Sequence, residues 1–231
     1  MAGETISADL LVSILHHGDS NFPSGGFAFS SGLEGFFADQ IVQNVNELES
    51  FIADLLVNRW ISFDAVALRR SHAAASDIDL AEIDRCVEMA TLSAAQRAGS
   101  KRAGRAVLTI YAKLGSKVVS HYRDRAIADE ELGHLPVAQG LAWREAGLPV
   151  EAALVMSAWT MVQGLATAAI RLGLIGHLQA QHLLFGMRAQ VVAAVQGGAD
   201  YPLDAPLSSF TILSDIALAR HVHRDARMFI T

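Results

Sequence analysis

The stretch Ala152-Ala-Leu-Val-Met-Ser-Ala-Trp-Thr-Met-Val-Gln-Gly-Leu-Ala-Thr-Ala-Ala-Ile170 holds no charged residue. It is about as long as a membrane-spanning helix, so its reading decides the fold. Ser157, Thr160, Gln163 and Thr167 interrupt it, and much of the rest is Ala. Leu, Ile, Val and Met are therefore sparse for a membrane segment, and no basic cluster flanks either end. The favoured reading is a buried central helix, because soluble helices that are apolar all round lie in cores.

The whole chain agrees with that choice. It has 231 residues, a formal net charge of −6, 52% hydrophobic and 18% charged residues, and one cysteine. Mean hydropathy is +0.30. Such a length encloses a sizeable core. Cys86 has no partner in the chain, which excludes an internal disulfide framework and a CxxC zinc ribbon. The hydrophobicity excludes broad disorder, and the acidic balance argues against nucleic-acid binding. Met1 to Asp9 has no basic n-region, against a secretory signal. What remains is a helical protein with surplus apolar surface for partners.

Helical periodicity recurs along the chain. Leu10, Leu11, Ile14 and Leu15 form a stripe behind Ser7 as N-cap. Asn46 with Glu49 and Asp79 with Glu82 read as capping boxes. A helix broken near Trp60 is expected between Leu48 and Leu68, and another over Ser93–Leu114, bent near Gly99 and Gly104. Pro136 and Pro149 open helices, Gly173 and Gly176 close one, and further helices run from His177 to Gln196 and from Ser214 to Arg224. The expectation is an all-α fold: a single bundle of about eight to ten helices spanning 1–231. Residues 1–7 are expected to be a flexible N-terminus, 197–208 a connector and 225–231 a tail.

The segment Gly18 to Ser30 is not helical in pattern. It holds Phe22, Phe27 and Phe29 beside Pro23, Gly25 and Gly26, with Ser31 and Glu34 as a capping box for the next helix. A loop that long is usually functional or disordered, and docked phenylalanines argue against disorder. Either it plugs the end of the bundle or it binds a partner.

Chemistry is thin. The Gly-rich stretch lacks the Lys-Ser/Thr ending of a P-loop. His177 and His182 lie on different helical faces, His221 and His223 lie nearly opposite, and His16 and His17 diverge, so no stable metal site is expected. Cys86 reads as a small buried residue. Arg171 reads as a cation complementing a helix C-terminus, with an internal passage or dimer seam as the other choice. The polar run His221 to Arg227 ends in apolar Met228, Phe229 and Ile230, which suggests docking onto the bundle or into a partner groove.

The run Pro23 through Glu34, with Ser30 inside it, resembles the Pro-x-Gly-x-Phe-x-x-Ser-x-Gly-Leu-Glu signature of the UreF family of urease accessory proteins. Arg97, Ser100, Gly104 and Arg105 match its middle region in order. His134-Leu-Pro136-Val-Ala-Gln-Gly140 resembles its His-x-Pro-Val-x-x-Gly segment. Ala168-Ala-Ile-Arg-Leu-Gly173 resembles its Ala-Val-Arg-Leu turn, and Arg227-Met-Phe-Ile-Thr231 its terminal Arg-Leu-Phe-Arg-Ser. Ile230 stands where the family's last arginine does, and Val222 where an acidic residue is common. The resemblance implies a cytoplasmic, non-catalytic scaffold that dimerises, binds UreD (also called UreH), recruits the GTPase UreG and serves nickel delivery to apo-urease. Nickel and GTP then belong to the partners, and the chain has no cofactor of its own. On this reading Phe22–Glu34, His134–Gly140, Arg171 and the Arg227–Phe229 tail are partner surfaces, the tail facing UreD. The reading from residues alone keeps a second class: a helical enzyme, or a small-ligand or metal-binding protein, with a His/Arg site in the bundle.

Overall fold

Among the described residues, 6–19, 22, 30–221 and 228–229, this computed structural model is all helical, with no strand. The helices are α1 (Ala8–His17), α2 (Leu33–Ala38), α3 (Val45–Leu55), α4 (Ala65–Ala73), α5 (Asp77–Ala90) and α6 (Ala94–Lys113). They continue with α7 (Lys117–Ala128), α8 (Leu135–Glu145), α9 (Val150–Arg171), α10 (His177–Asp200) and α11 (Ile212–His221). A π-helical stretch, Leu56–Asp64, joins α3 to α4, so these three form one rod and the described rods number ten. The expected break at Trp60 is thus a widened turn with the helix carried through.

The uncharged stretch lies inside α9. Ala153, Leu154, Met156, Ala158, Val162 and Leu165 are buried where α9 meets α8, α10 and α4. Among the described residues α9 is the one helix long and apolar enough to cross a membrane, and these neighbours cover its apolar side. Three of its four polar interruptions, Ser157, Thr160 and Thr167, have hydrogen-bond partners, whereas Gln163 Oε1 is buried without one. Ser157 Oγ accepts from the buried Trp60 indole at 3.1 Å, and the Thr160 and Thr167 hydroxyls donate to carbonyls one turn back. Beside α9, α8 packs against α4 and α6, and α6 carries α7 on its other side.

Local signals shift by a turn in places. Ser7 caps α1 as expected. The α3 cap is Asn44, whose side chain accepts from the Asn46 and Glu47 amides, not Asn46. The α5 box is Ser76 with Asp79, not Asp79 with Glu82. Ser31 and Glu34 form no box: Gly32, at φ +90°, is the N-cap of α2. Helix α6 runs unbroken through Gly99 and Gly104. The expected connector begins late, because α10 continues through Gly197 and Gly198. A Cβ on Gly198 would sit 2.8 Å from the Trp60 ring, so this glycine serves close packing. The end of α10 and the chain beyond it are tied to α4 by Arg69, donating to the Gly198 and Tyr201 carbonyls, and by Arg70, donating to those of Leu203 and Ala205.

Candidate functional site

Three residues distant in sequence meet at one end of the bundle. Glu34 is buried on α2, and its carboxylate accepts the amides of Met228 at 2.6 Å and Phe229 at 3.0 Å. Phe229 is buried, and the Arg171 guanidinium, in the last turn of α9, lies 4.2 Å from its ring centroid. Charge-assisted hydrogen bonds and a cation over an aromatic face are each stronger than their neutral counterparts. Helix α2 is itself pressed on α11: a Cβ at Gly35 would lie 3.1 Å from the Ala217 Cβ. Ser30, also buried, sets its hydroxyl 3.5 Å from the Glu34 amide.

This arrangement gives the tail a seat within the chain. The residues left bundle and partner groove open and the family resemblance favoured the partner, but here Phe229 docks on the chain's own bundle. Arg171, read as a complement to a helix end, also clamps that ring. Met228 remains half exposed. Of the other loop and tail residues singled out, Pro23, Gly25, Phe27 and Arg227 lie outside the described residues. Phe22 is described, half-buried against His16, His17 and Tyr111, with centroids 5.6–5.9 Å away. The His16 and His17 rings lie 4.5 Å apart and do not diverge as expected. Tyr111 Oη is 2.7 Å from His17 Nδ1, and burial, with His16 adding, lowers the His17 pKa.

Phe229→Ala tests the clamp. It is expected to leave helical content unchanged while amide protection at positions 228 and 229 falls about tenfold or more, on the order of 1.4 kcal/mol. Hydrogen exchange in the full chain measures this, and unchanged protection would mean that the ring does not hold the tail.

The His134–Gly140 segment was expected at a surface. The structure buries it: His134, Pro136 and Gly140 are all inaccessible. A Cβ on Gly140 would lie 2.5 Å from the Leu68 carbonyl oxygen, so this glycine lets α8 touch α4. His134 precedes α8 and sits in a polar knot. Asp84 accepts from Tyr122 Oη at 2.5 Å, from the Gly133 amide at 2.6 Å and from the His134 amide at 2.9 Å. The His134 ring meets Glu88 at 2.8 Å, and Glu88 also pairs with Lys101 and Arg97. Arg105 donates to carbonyls of Asp129, Glu130 and Leu132, and Ser100 accepts the Leu135 amide. Gly104 gives the loop room. Of the residues matching the family's middle region, Ser100, Gly104 and Arg105 therefore fasten the 129–135 loop, while Arg97 donates to the Thr91 and Leu92 carbonyls.

Burial sets the protonation here. It pushes the Asp84 carboxyl up to about 6, against the pull of its hydrogen bonds and Arg105. It pushes His134 down to about 4, against Glu88, so the imidazole is neutral near pH 7. Burial would raise Glu88 too, but the hydrogen bond and charge of Lys101, with the hydrogen bond to His134, outweigh it and hold the group below its ordinary value. Asp84 was missed by sequence reasoning. Its signal was a carboxylate on an apolar helix face, between Leu80 and Val87.

No group of three or more His, Cys, Asp or Glu among the described residues is arranged to hold a metal. His177 and His182 are both exposed. Cys86, expected to be buried, is exposed on α5.

Comparison with known proteins fits the pattern of fixed motifs. The family model UreF matches residues 42–188. The "Urease accessory protein UreF" of Corynebacterium glutamicum (strain R) is 29% identical over 228 residues, covering 98% of this chain and 99% of the relative. That of Haemophilus influenzae (strain PittGG) is 25% identical over 225 residues, covering 96% and 95%. That of Actinobacillus pleuropneumoniae serotype 5b (strain L20) is 24% identical over 225 residues, covering 96% and 99%. The matched span includes the Asp84–His134 knot and Arg171, and the likeness runs almost end to end: the chain belongs to the UreF family of urease accessory proteins.

Proposed function

We propose that the chain is a cytoplasmic, non-catalytic scaffold in urease maturation, linking UreD (UreH) to the GTPase UreG while nickel is inserted into apo-urease. Nickel and GTP are handled by the partners, the chain forms a homodimer, and it acts through surfaces. The observation that carries the reading is the near-complete coverage of proteins named urease accessory protein UreF. The apolar exposure supports it. Leu178, Phe185 and Val192 recur at seven-residue spacing on the outer face of α10, each more than half exposed, and on α1 Val12 and Leu15 are more than half exposed beside the half-exposed Leu11. Exposed apolar faces of this kind mark protein–protein contact.

Co-purification of the tagged chain with UreD and UreG, read beside urease activation in a deletion strain, tests the proposal. Recovery of both partners and restored activity are expected. Binding to neither, with nickel loading intact in the deletion strain, would remove it.

A further inference from the structure

An open groove of about 750 Å³ lies between α2, α3 and the start of α11. One wall is apolar and exposed: Ile41 at 53%, Phe210 at 73%, Ile212 at 55% and Leu213 at 69%. The facing wall is polar. Asn46, Ser50, Asp54 and Asn58 stand one helical turn apart along the rod, with Glu47 beside them. Glu47 and Asp54 are the ionisable side chains among the described lining residues, and both are acidic. Each is steadied by a local hydrogen bond that leaves its charge unneutralised: Glu47 accepts the Gln43 amide at 2.7 Å, and Asp54 accepts from Asn58 at 2.6 Å.

The apolar wall is fixed in place. The Ser208 amide donates to the Ser62 carbonyl at 3.2 Å and the Phe210 amide to the Asn58 carbonyl at 2.8 Å, so this segment runs along the π-helical stretch. Ile41 is tied separately, its amide donating to the Phe36 carbonyl at 2.9 Å, so four large apolar side chains are held in water on a preformed surface.

We propose that this groove docks a cationic amphipathic helix from another protein. Its apolar face would cover Phe210 and Leu213, and its lysines or arginines would meet Glu47 and Asp54. The polar ladder from Asn46 to Asn58 spans about 18 Å, the length of a little over three helical turns. An acidic segment would leave two carboxylates partly desolvated and unpaired, which is costly. A second copy of this chain complements the groove poorly. Its net charge is −6, and its exposed apolar helices α1 and α10 carry one arginine, Arg188, against Asp9 and Asp200. The inference stands on the groove alone and does not depend on which accessory proteins the chain assembles with.

The test is fluorescence anisotropy with the full chain and a labelled synthetic helix of about 18 residues. The probe has leucines on one face and lysines on the other, and its control has glutamate at every lysine position. The lysine probe is expected to bind and the glutamate probe not to. Leu213→Asp and Asp54→Lys should each weaken binding about tenfold or more, while Asp124→Lys on α7 should change it less than about twofold. The substituted side chains are exposed, and an unchanged melting temperature confirms the fold. Equal binding of both probes, or unchanged affinity in Leu213→Asp, would overturn the proposal. So would loss of self-association in Leu213→Asp by sedimentation, which would assign the groove to a second copy.

Discussion

Asp84→Ala is expected to destabilise the fold by roughly 3 kcal/mol or more, one of the largest single-residue effects in the molecule. The carboxylate is the acceptor for three buried donors: the Tyr122 hydroxyl and the Gly133 and His134 amides. Removing it leaves all three unpaired, at about 1–3 kcal/mol each. Against this stands relief from burying a charge, which raises the Asp84 pKa from 3.8 to about 6. Three orphaned donors outweigh that relief.

The pH dependence separates the two contributions. A carboxyl raised in the folded state gives stability that is fully present below its unfolded value and lost as pH rises through about 6. Between pH 8 and pH 5 the unfolded group stays ionised while the folded one takes up a proton. The stability gap between the natural chain and Asp84→Ala should therefore widen by about 1.4 kcal/mol over that range. His134, lowered to about 4, acts in the opposite sense, its contribution fading as pH falls through 4, but it is present in both proteins. Urea titrations at the two pH values measure the gap. A constant gap would mean that Asp84 titrates alike folded and unfolded.

The fold class was legible because α9 carries its own answer. Four polar residues inside an uncharged stretch are unwelcome in lipid, and three of them hydrogen-bond within the bundle, as Ser157 does with Trp60. Helix starts were less legible because the signature is degenerate. Asn44-x-x-Glu47 and Asn46-x-x-Glu49 both fit, and only the packing of Leu48 and Ile52 decides which begins the helix. Gly197 and Gly198 misled for a related reason. Glycine reads as a breaker, yet α10 needs it to pass Trp60.

The clamp could not be read locally. Its hydrogen bonds join residues 194 and 195 positions apart, and nothing in the sequence around Glu34 distinguishes a tail acceptor from a helix cap. The motif residues were found, but not the internal contacts that several of them make. Gly104, Arg105, His134 and Gly140 were placed at surfaces or left unassigned, whereas the structure uses them to seat α6, α8 and the 129–135 loop.

Gly104 and Gly140 make that role measurable. A Cβ on Gly104 would collide with the Gly133 carbonyl oxygen and lie 2.7 Å from the His134 carbonyl carbon. On Gly140 it would meet the Leu68 oxygen at 2.5 Å and the Ser71 Cβ at 2.8 Å. Most of these contacts are backbone, so no side chain can swing away, and the helices must part. Overpacking of this kind costs about 1–3 kcal/mol and occasionally more, even after the gain of alanine over glycine in a helix. Gly104→Ala, with the tighter contact, should reach the upper end, about 3 kcal/mol. In a chain of this size that lowers the melting temperature by roughly 6–12 °C. Gly164→Ala is the control, since a Cβ there meets nothing within 4 Å and helix propensity alone should raise stability by up to about 1 kcal/mol. If Gly104→Ala melted like Gly164→Ala, α6 would not lie against the loop that presents His134, and the knot around Asp84 would lose its support. A fall confined to Gly104→Ala and Gly140→Ala would instead tie both glycines to helix contact inside the bundle, and a partner surface would need to be sought elsewhere on the chain.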